Sequence, residues 1–232
     1  SCWNAAGPCT SPVASSEGVA MAATSDGLLA WGGIDASGRL SADGWQLLGD
    51  ERWAELPASP LQARHHAASA WTGSRLVVIG GSSDPNVNGV GNLRDGATYD
   101  PATKRWRTIA PIPDSLSGQI DRRCRDDTVY AASLVVIPCM SPERAGDDTT
   151  IRTVAAYRPD GDTWTTVSVF VGTDGHPQSW FNVDDRLGVV SIGARPPVSG
   201  LPQAEVTVSL AGKAAGTDGV TPTPPEPQST IE

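Results

Sequence analysis

The stretch RLVVIGG at 75–81 decides how this chain is read: it is an apolar run that ends in a pair of glycines. Just before it stands HHAASAW at 65–71, and the two flank Thr72-Gly73-Ser74, a hairpin signal. The same run recurs along the chain as LLAWGG at 28–33, LVVIPC at 134–139 and, more loosely, VVSIGA at 189–194. Its end positions, 33, 81, 139 and 194, lie 48, 58 and 55 residues apart. Seventeen residues before them stand Ser16, Arg64, Arg122 and Pro177, which open the segments leading into each run. These segments are expected to be the innermost strands.

The second half of the unit repeats as well. YDPATKRW at 99–106 matches YRPDGDTW at 157–164, and GDERW at 49–53 matches their ends. Gly81 to Trp106 and Cys139 to Trp164 each span 25 residues, whereas Gly33 to Trp53 spans 20, so the first unit carries a shorter loop. A period near 50 is that of a four-stranded propeller blade. With its glycine pair closing the second strand, a Tyr in the third and a Trp in the fourth, the unit resembles the kelch-repeat family, the superfamily of the galactose-oxidase-like central domain. The resemblance covers about residues 12–210 and is complete in the second unit at Gly80, Gly81, Tyr99 and Trp106. The third unit has Pro138 and Cys139 in place of the glycines, and the fourth lacks the closing Trp. It implies an all-β, kelch-type β-propeller of about four four-stranded blades, either closed by itself or a segment of a larger ring. Paired glycines allow turns where blades crowd, and each Trp buries a large area between sheets, so packing accounts for these positions.

The expected organisation follows. Residues 1–11 form an N-terminal strand closing a blade, 12–60 blade one, 61–113 blade two, 114–168 blade three and 169–210 an incomplete fourth blade. Residues 211–232, rich in Thr and Pro, form a linker. Trp3 precedes Ser16 much as Trp53 precedes Arg64, whereas the fourth unit has strand candidates at 179–183, 187–193 and 204–210 and no Trp-bearing fourth strand. The spare strand and the missing one are complementary, and joining them would hide two sheet edges. In the competing arrangement, another chain or further sequence completes the ring.

Composition narrows the function. Among 232 residues, 25 Gly and 19 Pro suit many short strands and turns, with few helices. Seventeen basic and 26 acidic residues give a formal charge of -9, which repels a phosphate backbone, so nucleic acid is not an expected partner. The longest apolar run falls far short of the roughly 20 residues of a membrane helix, and no transmembrane segment is expected. The four cysteines form two sequence-local pairs, compatible with disulfides in an oxidising compartment. Cys124 and Cys139 take the places of His66 and Gly81, which should face each other as Trp71 faces Leu76, so a cross-strand disulfide is expected. Cys2 and Cys9 would bridge a short loop; a Cys after a small residue near a mature N-terminus also resembles a bacterial lipoprotein attachment site.

Candidate chemistry gathers around the inner strands. Arg64, His66, Arg122 and Arg123 are the candidate binding residues of a central surface. His65 and His66 are adjacent on a strand, so their side chains should point to opposite faces and not share one metal easily. The acidic pairs Asp126-Asp127, Asp147-Asp148 and Asp184-Asp185 lack calcium-loop spacing and fit solvated turns. Arg122, Arg123 and Arg125 beside the first of them fit an anion-binding group and a surface ion-pair cluster equally well. No metal, cofactor or catalytic residue is expected. A kelch-like copper oxidase would need a Tyr–Cys cofactor, a second Tyr and two His from separate blades, which the three Tyr of this chain do not supply.

The expectation is a non-catalytic, extracytoplasmic propeller module, secreted or anchored at the cell surface, that binds a protein or other ligand through its loops. The alternative is a kelch-like enzyme of oxidase, epimerase or lyase type with a central-channel site lined by Arg64, His66 and Arg122. An intracellular kelch adaptor fits the cysteines less well.

Overall fold

A computed structural model describes residues 17–49, 52–86, 93–117, 128–137, 151–170, 176–183, 186–195 and 203–210. The described chain is all-β. The first sheet runs β1 (Ala20–Thr24), β2 (Gly27–Trp31), β3 (Gly44–Leu48) and β4 (Trp53–Glu55), and the second β5 (Ala68–Trp71), β6 (Leu76–Ile79), β7 (Gly96–Asp100) and β8 (Arg105–Ile109). A single helical turn, α1 (Asp114–Ser117), leads to the third sheet, β9 (Val129–Ala131), β10 (Leu134–Ile137), β11 (Ile151–Arg158) and β12 (Thr163–Phe170). The fourth has three strands, β13 (His176–Val183), β14 (Arg186–Arg195) and β15 (Gln203–Leu210), covering the candidates at 179–183, 187–193 and 204–210. Every sheet is an antiparallel meander in chain order. First strands of successive sheets are neighbours: β1 lies beside β5, β5 beside β9 and β9 beside β13.

One transverse row of side chains repeats in the first three sheets. It reads Ala23, Leu28, Leu47 and Trp53 across the first sheet and Trp71, Leu76, Tyr99 and Trp106 across the second. Across the third it reads Tyr130, Val135, Tyr157 and Trp164. Directly opposed aromatic and aliphatic residues in such rows are favourable cross-strand pairs. The row corrects the sequence alignment: Val135, not Leu134, stands where Leu76 stands. An equivalence built on LVVIGG and LVVIPC would set Val129 opposite Leu134, whereas the structure sets Ala131 there.

The core lies between the sheets. Leu29 and Trp31 of the first sheet pack with Leu76, Val78 and Tyr99 of the second, while Val77 and Ile79 on its other face pack with Val135, Ile137 and Tyr157 of the third. Leu134 and Val136 turn to a third cluster with Val154 and Ala156. Because β6 and β10 are buried on both faces, their sequences are continuous apolar runs and not alternating ones. Each such Val, Leu or Ile contributes about 1.5–3 kcal/mol on burial.

The glycine pairs stand at the end of β2 and β6 in one backbone conformation, with φ of 70° and 103° at Gly32 and Gly33 and 64° and 98° at Gly80 and Gly81. A Cβ on Gly32 would lie 2.9 Å from the Arg64 carbonyl oxygen, and one on Gly81 would lie 2.8 Å from that of His65. Glycine is therefore required by both dihedral and space.

Candidate functional site

The segment Arg64-His65-His66, just before β5, joins the first two sheets. Gly33 N–H donates to the Arg64 carbonyl at 2.8 Å, and Arg64 N–H donates to Ser41 at 3.1 Å, so its backbone is held by the first sheet. Its guanidinium reaches the other way, into the second. Nε donates to the Gln62 carbonyl at 3.0 Å and one terminal nitrogen to the Gly80 carbonyl at 3.0 Å. The same nitrogen and its twin grip the two oxygens of Asp95 at 2.8 Å each. Such a two-pronged pair is the strongest arrangement for Arg and carboxylate. The guanidinium also lies 5.9 Å from the centre of the Trp31 ring, within cation–π range.

Arg64, one of the candidate binding residues, has no exposed surface, and its contacts fasten the first two sheets together. Its hydrogen bonds hold the Asp95 carboxyl below the ordinary carboxylate range, against the partial burial that pushes the other way. Asp95 was not singled out from the sequence. A fully buried Arg calls for a carboxylate partner, but nothing in the sequence declares Arg64 buried.

The two histidines also depart from expectation. His65 is 2% exposed and bridges to Ser82 through paired backbone hydrogen bonds of 3.0 and 2.9 Å. His66 has φ of 57°, in the left-handed region, so strand alternation breaks at this residue. The rings therefore meet instead of parting: their centres are 4.4 Å apart, and the two Nδ1 atoms face each other in a contact shorter than an ordinary hydrogen bond. On the far side of each ring, His65 Nε2 lies 3.0 Å from the Asp84 carbonyl, and His66 Nε2 lies 3.7 Å from a Glu17 carboxylate oxygen. His66 N–H donates to the Gly18 carbonyl at 2.7 Å, and its ring lies so close to Gly18 that a Cβ there would come within 2.8 Å of it. The pair thus sits between the openings of the first and second sheets, with 13% of the His66 side chain exposed.

A second polar cluster joins the second and third sheets. Asp162, with φ of 49° in the turn between β11 and β12, accepts from Ala110 N–H at 2.7 Å and from the Tyr157 hydroxyl at 2.8 Å. Those bonds, led by the one from Ala110, lower the Asp162 pKa, while burial and then the bond to Asp162 raise that of Tyr157. Trp164 Nε1 donates to the Ala110 carbonyl at 2.9 Å. This cluster is a strap between sheets.

The other residues nominated from the sequence, Arg122, Arg123, Cys124, Cys139, Cys2 and Cys9, lie outside the described residues, as do the three acidic pairs. Among the described residues no three His, Cys, Asp or Glu side chains gather in a metal-ligating group, and no helix is long and apolar enough to cross a membrane. No family model and no curated protein matches the chain.

Proposed function

We propose that this chain is a non-catalytic, extracytoplasmic binding module built as a kelch-like β-propeller of about four blades, with a partner protein or ligand held by its loops. The observation that carries the architecture is the transverse row repeated in three consecutive four-stranded meanders whose first strands lie side by side. A propeller needs this arrangement, because each sheet covers its neighbour and the first strands converge on one axis. The indole of Trp106 donates to Pro57 and that of Trp164 to Ala110, both at 2.9 Å and both just beyond the last strand of the preceding sheet. In this reading they latch each blade to the one before it.

Binding is favoured over catalysis by the state of Arg64. The charged group nominated for a central reaction is spent on Asp95, Gln62 and Gly80 and meets no solvent. The loops remain as the surface for recognition, and a net charge of -9 suits a partner with basic groups. Export accounts for the even set of cysteines.

The test is fractionation of tagged, full-length protein in its native cell, followed by crosslinking in place. Recovery outside the cytoplasm, with one protein crosslinked reproducibly through loop residues, is the expected result. Recovery in the cytoplasm with four reduced thiols would overturn the extracytoplasmic reading.

A further inference from the structure

The histidine pair has no role in the packing described above, and its protonation is constrained by its neighbours. The Asp84 carbonyl only accepts, so His65 Nε2 carries the hydrogen and His65 Nδ1 presents a lone pair. On His66, a carboxylate oxygen lies on the Nε2 side and likewise favours a hydrogen there. The two Nδ1 atoms face each other across a short contact that requires either a hydrogen on His66 Nδ1 or a cation between the rings. Backbone strain at His66 brings this about, and such strain is typical of functional sites.

We propose that His65 and His66 form a binding site for a divalent transition metal, copper or zinc, ligated by the two Nδ1 atoms. Imidazole suits both metals, and copper should bind more tightly by the Irving–Williams order. The outer partners match what ligating histidines require: a backbone carbonyl on one ring and a carboxylate beside the other fix the tautomer and orient each lone pair. Metal–nitrogen bonds of about 2.0–2.1 Å at a tetrahedral angle hold two nitrogens about 3.3 Å apart, so the rings must part by roughly 1 Å to admit the ion. The partly exposed edge of His66 gives it access. No third His, Cys, Asp or Glu converges among the described residues, so water or a donor atom of a bound molecule fills the remaining positions. Glu17, beside the outer nitrogen of His66, is a positioning residue and not a ligand.

Titration calorimetry of the intact chain with Cu²⁺ and with Zn²⁺ in metal-free buffer, paired with electron paramagnetic resonance of the copper adduct, tests the site. The expected result is one ion per chain, copper tighter than zinc, with hyperfine structure from two imidazole nitrogens. His66→Asn keeps a residue that tolerates the left-handed backbone, and His65→Gln keeps a polar side chain, so both variants should fold, as circular dichroism checks. Each should weaken binding at least about tenfold, whereas Glu17→Gln should weaken it less than either, and His176→Gln, at the remaining histidine, should leave it unchanged. Absence of binding by the parent chain would show that a proton alone lies between the rings and would overturn the proposal. Unchanged affinity in both folded histidine variants would overturn it equally. The readout needs no partner and no cell compartment, so it stands apart from the binding-module reading.

Discussion

Where the first sheet meets the second, the Trp106 indole donates to Pro57; where the second meets the third, the Trp164 indole donates to Ala110, both at 2.9 Å. A Tyr lies against each Trp, with ring centres 5.0 Å apart at Tyr99 and Trp106 and 5.4 Å at Tyr157 and Trp164. The polar locks beside them differ. The first junction holds a wholly buried arginine chelated by Asp95, whereas the second holds a phenol and a backbone amide on Asp162. The aromatic device therefore belongs to the repeat, while each junction solves its remaining polar groups in its own way. Charge enters both, as a guanidinium–carboxylate pair at the first junction and as a carboxylate held by neutral donors at the second.

Breaking the first lock should have the largest effect. Arg64→Ala leaves the Gly80 and Gln62 carbonyls without their donor, opens a cavity and strands Asp95, and removal of one member of a buried pair costs about 3–5 kcal/mol. Half the Asp95 side chain is exposed, which places the cost toward the lower end of that span. Urea unfolding followed by tryptophan fluorescence measures it. A shift equal to that of an ordinary surface substitution would remove the clamp from the account.

The second lock should be weaker. Tyr157→Phe deletes one hydroxyl bond and leaves Asp162 its amide donor, for a loss of about 1 kcal/mol. Acid separates the locks from the aromatic devices. Asp95 and Asp162 both have folded-state pKa values below the ordinary carboxylate value, so the stability they add is present above the unfolded value and lost as pH falls through the folded ones. Urea midpoints should therefore drop as pH falls below the ordinary carboxylate range. Asp162→Asn, which tolerates the left-handed backbone and can still accept a hydrogen bond, should make that drop shallower. An unaltered acid profile in this variant would mean that Asp162 carries no charge-dependent share of the junction.

The same contrast governs what the sequence could disclose. The sheets, their strands and the Tyr–Trp rows were legible because apolar runs and aromatic spacing record burial directly. The register of the third sheet was not: LVVI occurs in both β6 and β10, and with both faces buried a shift of one residue changes no polarity. Only the partners, Tyr99 opposite Leu76 but Tyr157 opposite Val135, reveal it. His66 escaped for a related reason, since strand alternation presumes an extended backbone and a φ of 57° carries no mark in the letters HH. Arg64 stands out in the sequence as a residue, but its burial does not. A buried charge is identified by its distant partner, here 31 positions away at Asp95.

The smallest expected effect lies in the two hairpins that bring these registers about. Thr72 N–H donates to the Arg75 carbonyl at 3.0 Å, and between them Gly73 takes its positive φ of 92° without a Cβ to strain it. In the β9–β10 hairpin, the two residues between Ala131 and Leu134 are Ala132 and Ser133, with φ of 51° and 61°. Two consecutive positive φ values are those of a type I′ turn, whose preferred residues are Asn and then Gly. Ala132→Asn with Ser133→Gly should therefore stabilise the third sheet by about 0.5–1 kcal/mol, a gain read from the urea midpoint. If the turn alone pins this register, the gain should appear without any change in the Tyr130, Val135, Tyr157 and Trp164 row, as amide exchange along β9 and β10 would report. Destabilisation by the pair would mean that the strained turn is held by contacts of its present side chains, and that register in this sheet is set by packing.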